Sequence, residues 1–249
     1  MVEPLPRVLP SDRCDPPLRV LTFNTHIGRR LDEVRRIVRE WEPHLVVLQE
    51  LWIHRHRDWE WNQAATLAGD MQMEYAYHRY TWKGKSQIGL ALFATGRITE
   101  VAEIDGPGIR SPGLSARVEI AGRWVGVAAV HLAAVPRPLV VGYPCIMATH
   151  YRQMARTIRR LKDMGGPVIL AGDFNTIPGT PAHRLACRYL IDVARRVGAC
   201  DGTRRTWGLP LRIDYIFASS HFRCEECRVL DAEGSDHRPL FARLRWNDE

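Results

Sequence analysis

Two short motifs late in the chain put polar groups where a packed core would put apolar ones. Gly172-Asp173-Phe174-Asn175-Thr176 follows the apolar run at 167–171, and Gly234-Ser235-Asp236-His237-Arg238-Pro239 precedes Leu240-Phe241-Ala242. Carboxylate, amide and imidazole groups at strand ends can bind a cation and move protons. Three other positions have the same character. Glu50 closes Val46-Val47-Leu48-Gln49, Asn24 closes Leu18-Arg19-Val20-Leu21-Thr22-Phe23, and His131 closes the apolar run at 125–130. Asp214 lies in Leu211-Arg212-Ile213-Asp214-Tyr215-Ile216-Phe217, where strand alternation gives it a defined face.

Each of these residues has a plain reading when taken singly. Glu50 is then a solvated strand end, Asp214 a surface ion pair with Arg212 worth little, and His131 a satisfied core histidine. Their coincidence changes the reading. Four carboxylates at one sheet edge would repel strongly in a low dielectric. A divalent cation resolves that repulsion, and all-oxygen ligands select magnesium, manganese or calcium over zinc. Asp214 is suited to fix the tautomer of a nearby histidine, and His237 is its obvious partner.

The elements that must position these groups can be read from the pattern. A strand at 18–24, a helix with apolar positions Leu31, Val34, Val38 and Trp41, and a strand at 44–49 ending at Glu50 form a right-handed crossover between parallel neighbours. Pro43 closes the helix. Asn24 and Glu50 then emerge at one edge. Between 75 and 131 the helical period fades, and short apolar runs at 88–94, 114–120 and 124–131 suggest antiparallel sheet. Met147, Tyr151, Met154, Ile158 and Leu161 restore a helical stripe, and a further helix is expected at 181–190. Strands are expected at 167–171, 212–217, 222–230 and 239–246. Strands outnumber dispersed helices, which implies two sheets packed face to face with helices outside.

The 249 residues read as one domain from 18 to 249, preceded by an irregular proline-rich arm at 1–17. Six cysteines are too few and scattered for a disulfide framework, and Cys224-Glu225-Glu226-Cys227 lacks the second pair that a structural zinc site requires. With no apolar leader and no long apolar stretch, the expectation is a soluble, cytoplasmic monomer with no transmembrane segment. A formal charge of +7 favours anionic partners: nucleic acid, phosphorylated small molecules or acidic lipid.

The ordered set Thr22-Phe23-Asn24, Leu48-Gln49-Glu50, His131, Gly172-Asp173-Phe174-Asn175, Ile213-Asp214-Tyr215 and Ser235-Asp236-His237 resembles the endonuclease/exonuclease/phosphatase superfamily, the deoxyribonuclease I-like fold. The resemblance runs from about residue 18 to 246. It implies a four-layer α/β/β/α sandwich with two mixed sheets inside. It also implies hydrolysis of a phosphate ester with magnesium, manganese being the usual substitute. By resemblance Glu50 is a metal ligand, with Asn24 and Asp236 close to the metal or to a second site. Asp173 positions or deprotonates the attacking water, Asn175 orients water and phosphate, and His237, held by Asp214, is an acid/base group or phosphate donor. His131 donates to a non-bridging oxygen.

The substrate expected is nucleic acid, cleaved by endonuclease or exonuclease action. The alternative is a phospholipid, as in a sphingomyelinase-like enzyme, or an inositol phosphate. Leu51-Trp52 follow Glu50 where abasic-site endonucleases of the exonuclease III type carry Thr-Lys, and no aromatic immediately precedes Asp214. Both departures count against abasic-site repair. The nearest match to the acid that backs His131 in deoxyribonuclease I-like enzymes is the neutral Gln87. The segment from Trp52 to Trp61 mixes aromatic and basic residues. It could stack on bases, sit at a lipid interface, or start a helix packed on the sheet through Trp59 and Trp61.

Overall fold

A computed structural model of the chain describes residues 16–55, 60–105, 111–134, 139–199, 201–206 and 209–247. In chain order, β1 (Leu18–Asn24) leads through α1 (Leu31–Trp41) to β2 (Leu45–Arg55), β3 (Glu60–Asn62) and α2 (Gln63–Met71). Next come β4 (Glu74–Lys83), β5 (Ser86–Ala94), β6 (Ile98–Glu103), β7 (Gly113–Ile120) and β8 (Arg123–His131). The long α3 (Leu139–Met164) returns the chain to β9 (Val168–Asp173), followed by α4 (Pro181–Cys187), β10 (Ile191–Asp192) and α5 (Val193–Arg196). The chain closes with β11 (Arg204–Thr206), β12 (Leu209–Leu211), β13 (Asp214–Ala218), β14 (Phe222–Val229) and β15 (Leu240–Trp246).

Two mixed sheets result. One runs β14-β15-β1-β2-β5-β4, with β3 paired to β2, and the other runs β10-β13-β9-β8-β7-β6. Among the described residues each has a single parallel pair, β1 with β2 and β8 with β9, joined by α1 and α3 respectively. Three apolar layers show how the sheets stack. Val20, Val47, Leu92, Val127, Ile169 and Leu244 fill the space between the sheets. Val34, Ile37 and Val38 of α1 and Leu67 of α2 cover the outer face of the first sheet. Met154, Ile158 and Leu161 of α3 and Leu185 of α4 cover the second. Burying each large apolar side chain contributes roughly 1.5–3 kcal/mol, so three such layers make a four-layer α/β/β/α sandwich stable.

Local sequence explains the elements nearest the site. α1 has Asp32 and Glu33 in its first turn and Arg39 in its last, matching the helix dipole. It stops at Glu42, which turns left-handed and donates its N–H to the Val38 carbonyl; Pro43 then bars continuation. Its neighbour β2 does not end at Glu50 as expected but runs on to Arg55 and pairs with β3. Trp61 therefore lies in a strand, and the helix begins only at Gln63, capped by the Asn62 side chain. Residues 56–59 lie outside the described residues, as does the proline-rich arm except Pro16 and Pro17.

The stripe expected on α3 is buried at Met154, Ile158 and Leu161, but Tyr151 is exposed and Met147 only partly buried, and Ile146, His150, Gln153 and Thr157 also face inward. The helix expected at 181–190 ends at Cys187. Cys224 and Cys227 are free thiols on the edge strand β14, packed against the inter-sheet core. Among the described residues no helix is long and apolar enough to cross a membrane.

Candidate active site

The two parallel pairs point their carboxyl ends the same way, and the sequence motifs meet there. On the second sheet, His131, Asp173 and Asp214 stand side by side on β8, β9 and β13, since His131 pairs with Asp173 and Asp173 with Asp214. Gly172 permits this close arrangement. A Cβ there would lie 1.9 Å from the Val130 carbonyl oxygen, and its φ of +146 lies where side-chain-bearing residues rarely go. On the first sheet, Asn24 ends β1, and its side-chain NH2 donates to both Glu50 Oε1 at 3.1 Å and Asp173 Oδ2 at 3.0 Å. Asn24 therefore bridges the two sheets.

Glu50 reaches this point through a bulge. β2 and β5 slip register between Leu48 and Leu51, leaving Glu50 as an extra residue at φ 62. β4 slips against β5 between Arg79 and Thr81, so Tyr80 is extra on the other side of Gly89. Bulges re-aim side chains in this way. Burial first, and then the charges of Glu50 and Asp173, raise the Tyr80 phenol well above its ordinary value, so it stays protonated. Among the described residues, eight non-glycine positions have positive φ, and His26, Ile27, Glu50 and Asn175 of these lie at or beside this site. Such concentration marks a functional region.

Asp173 is the hub. It is buried, its Oδ1 accepts the Asn175 N–H at 2.8 Å, and its Oδ2 lies 3.5 Å from His131 Nε2 and 3.7 Å from His237 Nε2. The Asn175 side chain donates to the Leu132 carbonyl at 3.1 Å. His237 turns Nδ1 to Asp214 Oδ2 at 2.9 Å, and Thr203 Oγ1 accepts the Asp214 N–H at 3.1 Å. Burial is the largest influence on Asp214 and raises it, while His237 pulls it down and Asp173 pushes it further up. The ring's own burial opposes its charge, yet Asp214 and Asp173 together push His237 up to about 9.

Asp236, next to His237, sits slightly apart. Its Oδ1 meets His26 Nδ1 at 2.8 Å and its Oδ2 accepts from Arg204 Nη2 at 2.7 Å. Burial would raise this carboxyl, but His26, His237 and Arg204 hold it below the usual range. Gly234 shapes the approach, because a Cβ at its φ of +80 would meet Arg30 Cγ at 2.1 Å.

The expected residues thus assemble: Asn24, Glu50, His131, Asp173, Asn175, Asp214 and His237 share contacts, and Asp236 joins through the 235–237 turn. Ser235 fixes that turn by donating to the Asn24 carbonyl at 2.7 Å and accepting the His237 N–H. Arg212 is not the partner of Asp214. It forms a buried two-pronged pair with Asp192, both bonds at 2.8 Å. Gln87 lies out along β5, opposite Trp82, and the group packed on His131 is the edge of Tyr80, ring centroids 5.0 Å apart. His131 Nδ1 is buried without a hydrogen-bond partner. Sequence reasoning missed Tyr80, His26, Thr203 and Arg204. Only His26 carried a signal, two residues after Asn24.

The donor set fits a hard divalent cation. Glu50 is half-buried, with one oxygen bound only by a neutral amide, among oxygen donors. Asp173, Asp214 and His237 also offer ligand atoms within 4.8 Å of one another.

Comparison with known proteins agrees with this geometry. The family model described as "Endonuclease/Exonuclease/phosphatase family" matches residues 21–237. A UPF0294 protein of Vibrio cholerae is 31% identical over 98 residues, which is 39% of this chain and 34% of that protein, so the match spans about a third of the relative's length. The crystal structure of an endonuclease/exonuclease/phosphatase from Beutenbergia cavernae superposes with a TM-score of 0.71 at 21% identity, covering 94% of this chain and 72% of the other. The 3′ phosphatase NExo from Neisseria, bound to a product DNA hairpin, superposes with a TM-score of 0.67 at 21% identity, covering 92% of this chain and 100% of the other. With its site residues gathered at the carboxyl ends of both parallel strand pairs and the family model spanning 21–237, this chain belongs to the endonuclease/exonuclease/phosphatase family, whose members are hydrolytic phosphoesterases.

Proposed function

We propose that this chain is a divalent-metal-dependent phosphodiesterase that cleaves nucleic acid. The observation that carries this reading is the placement of Asp173. Its carboxylate faces two imidazoles and is tethered through Asn24 to Glu50, so a base and a cation ligand flank one space.

In this reading Glu50 holds magnesium, or manganese in its place, with Asn24 and Asp236 beside it. When bound, the cation offsets negative charge growing on the phosphoryl oxygens. The remaining roles fall to the chain's own groups. Asp173, fixed by the Asn175 N–H, aligns a water and takes its proton. His237, oriented by Asp214, presents Nε2 to the phosphate, and His131 donates to a non-bridging oxygen. Asn175 orients water and phosphate beside them.

Support for nucleic acid comes from the net charge of +7 and from the DNA hairpin in the similar Neisseria phosphatase. A second reading, hydrolysis of phospholipid, draws on Trp61 and Trp82, which are 43% and 51% exposed on the arm beyond Glu50. On that arm His54 stacks on Trp61 at 5.5 Å, and the Arg79 guanidinium covers the Trp82 ring at 4.7 Å. Cation and ring together suit bases and phosphates better than lipid.

The test is hydrolysis of single-stranded DNA, duplex DNA, RNA and sphingomyelin liposomes, each with magnesium and with EDTA. Magnesium-dependent cleavage of a nucleic acid is the expected result. Cleavage of liposomes alone would overturn the preferred substrate, and full activity in EDTA would overturn the metal.

A further inference from the structure

Beyond the loop that carries Asn175, a cavity of about 680 Å³ opens between 177–179, α4, α5 and the segment leading into Asp214. Ile177, Pro178 and Leu211 form its apolar wall, and Arg184, Arg188 and Arg195 line it as cations. Among the described residues no carboxylate pairs with any of these three arginines. Elsewhere the chain neutralises many arginines, as in Arg35–Asp70, Arg97–Glu119, Arg117–Glu100 and Arg238–Asp231. Two other surface cavities mix the signs, one with Glu42 and Asp70 among its arginines and one with Glu103, Asp105 and Asp163. Among the described residues that line this cavity the charged groups are arginines, with no carboxylate.

Its floor is rigid. Asp192 accepts both Arg212 bonds at 2.8 Å and faces His183 Nε2 at 3.0 Å, so the one nearby carboxylate is already engaged. The three lining arginines, with Asp192 already bonded by Arg212, favour an anion over a cation as the ligand. Two of the cavity's walls continue along the chain into segments that carry active-site residues. Ile177 follows Asn175 by two residues, a span of at most ~7 Å, and Arg212 precedes Asp214 by two. The Tyr215 hydroxyl ties these walls together, donating to the Thr176 carbonyl at 2.9 Å and the Arg212 carbonyl at 3.0 Å.

We propose that this cavity holds a second, uncleaved phosphate of the substrate strand, with the attached sugar or base against Ile177, Pro178 and Leu211. This rests on the phosphodiesterase reading above and names where the strand continues past the scissile bond. Unpaired guanidinium groups over an apolar wall match a phosphate carrying an apolar ring. Neutralising a phosphate there releases counterions, so the cavity contributes to the salt dependence of binding.

The experiment replaces Arg184 and Arg188, both exposed, with alanine together. Binding of a fluorescent single-stranded octanucleotide is followed in EDTA between ~50 and ~200 mM salt, alongside magnesium-dependent turnover of the octanucleotide and of bis(p-nitrophenyl) phosphate, which has one phosphate. The expected result is at least ~10-fold weaker octanucleotide binding, a log–log salt slope smaller by about 0.7, the share of one phosphate on a single strand, unchanged kcat on the single-phosphate substrate, and restoration by Arg184→Lys with Arg188→Lys. Unchanged affinity and slope in the alanine variant would overturn the cavity's role while leaving the phosphodiesterase reading intact. An equal loss on both substrates would also overturn it. Wild-type protein that binds the octanucleotide in EDTA, with the expected loss in the variant, yet hydrolyses neither substrate would sink the phosphodiesterase reading but not the cavity. Competition by inorganic phosphate in the wild type, with no octanucleotide binding at all, would assign the cavity to a free anion and overturn the substrate-strand claim.

Discussion

His237 and Asp214 lie 23 residues apart in sequence and meet at 2.9 Å, Nδ1 to Oδ2, with both side chains buried. This contact leaves His237 Nε2 facing Asp173 at 3.7 Å. An imidazole held in this way has one ring nitrogen committed to orientation and the other available to substrate.

That division of labour predicts unequal effects. His237→Ala and Asp173→Asn should each lower kcat by at least ~10²-fold, the scale of a positioned acid/base group. Asp214→Asn should cost less, because it removes the orienting contact and not the reacting one. Steady-state kinetics on a nucleic-acid substrate checks this. A harmless Asp214→Asn beside a crippling His131→Ala would show that the wrong histidine has been given the central role.

Glu50 sits in its bulge at φ 62 with a single neutral donor on its carboxylate. Glu50→Gln should raise the magnesium concentration for half-maximal activity by ~10-fold or more, the scale of lost metal-site groups. The melting temperature without metal should hardly change, since little in the metal-free fold depends on that charge. A magnesium titration with a thermal melt reads both, and an unaltered titration would remove Glu50 from the metal site.

Acid stability should report on Asp192. Burial raises its carboxyl, but the bonds from His183 and Arg212 outweigh burial and hold it at about 2, below its ordinary 3.8. A depressed folded value means the stabilisation is complete above about 3.8 and disappears as pH falls through about 2. It amounts to on the order of 2 kcal/mol. Asp192→Asn, which strands the Arg212 charge, should cost ~3–5 kcal/mol at neutral pH. Urea unfolding at several pH values should show the gap between wild type and variant narrowing between pH 4 and 2. A gap independent of pH would disprove the assignment.

Gly172→Ala tests how closely β8 and β9 must approach. The new methyl would meet the Val130 carbonyl, so the strands must part or the residue must leave its φ of +146. A loss of more than ~3 kcal/mol is expected, together with loss of activity through displaced Asp173. Chemical denaturation is the measurement, and a fully stable, fully active variant would contradict the stated geometry.

Much of this protein was legible in its sequence for a physical reason. Apolar runs ending in Asn24, Glu50, His131 and Asp173 encode strands locally, and a crossover connection forces parallel neighbours, so those ends must lie on one side. The ordered motifs then indicated the family, which the match over 21–237 establishes. What only the tertiary structure decided are partnerships across long separations. Asn24 donates to Asp173, 149 residues away, because the two sheets stack at one particular offset. Arg212 pairs with Asp192 and not with its close neighbour Asp214, and it lies between β12 and β13, where strand alternation does not set its direction. Tyr80 enters the site through a bulge that slips one residue of register, and His26 and Arg204 meet at Asp236 through loops. Register slips and loop paths depend on how distant surfaces fit, which local spacing does not encode.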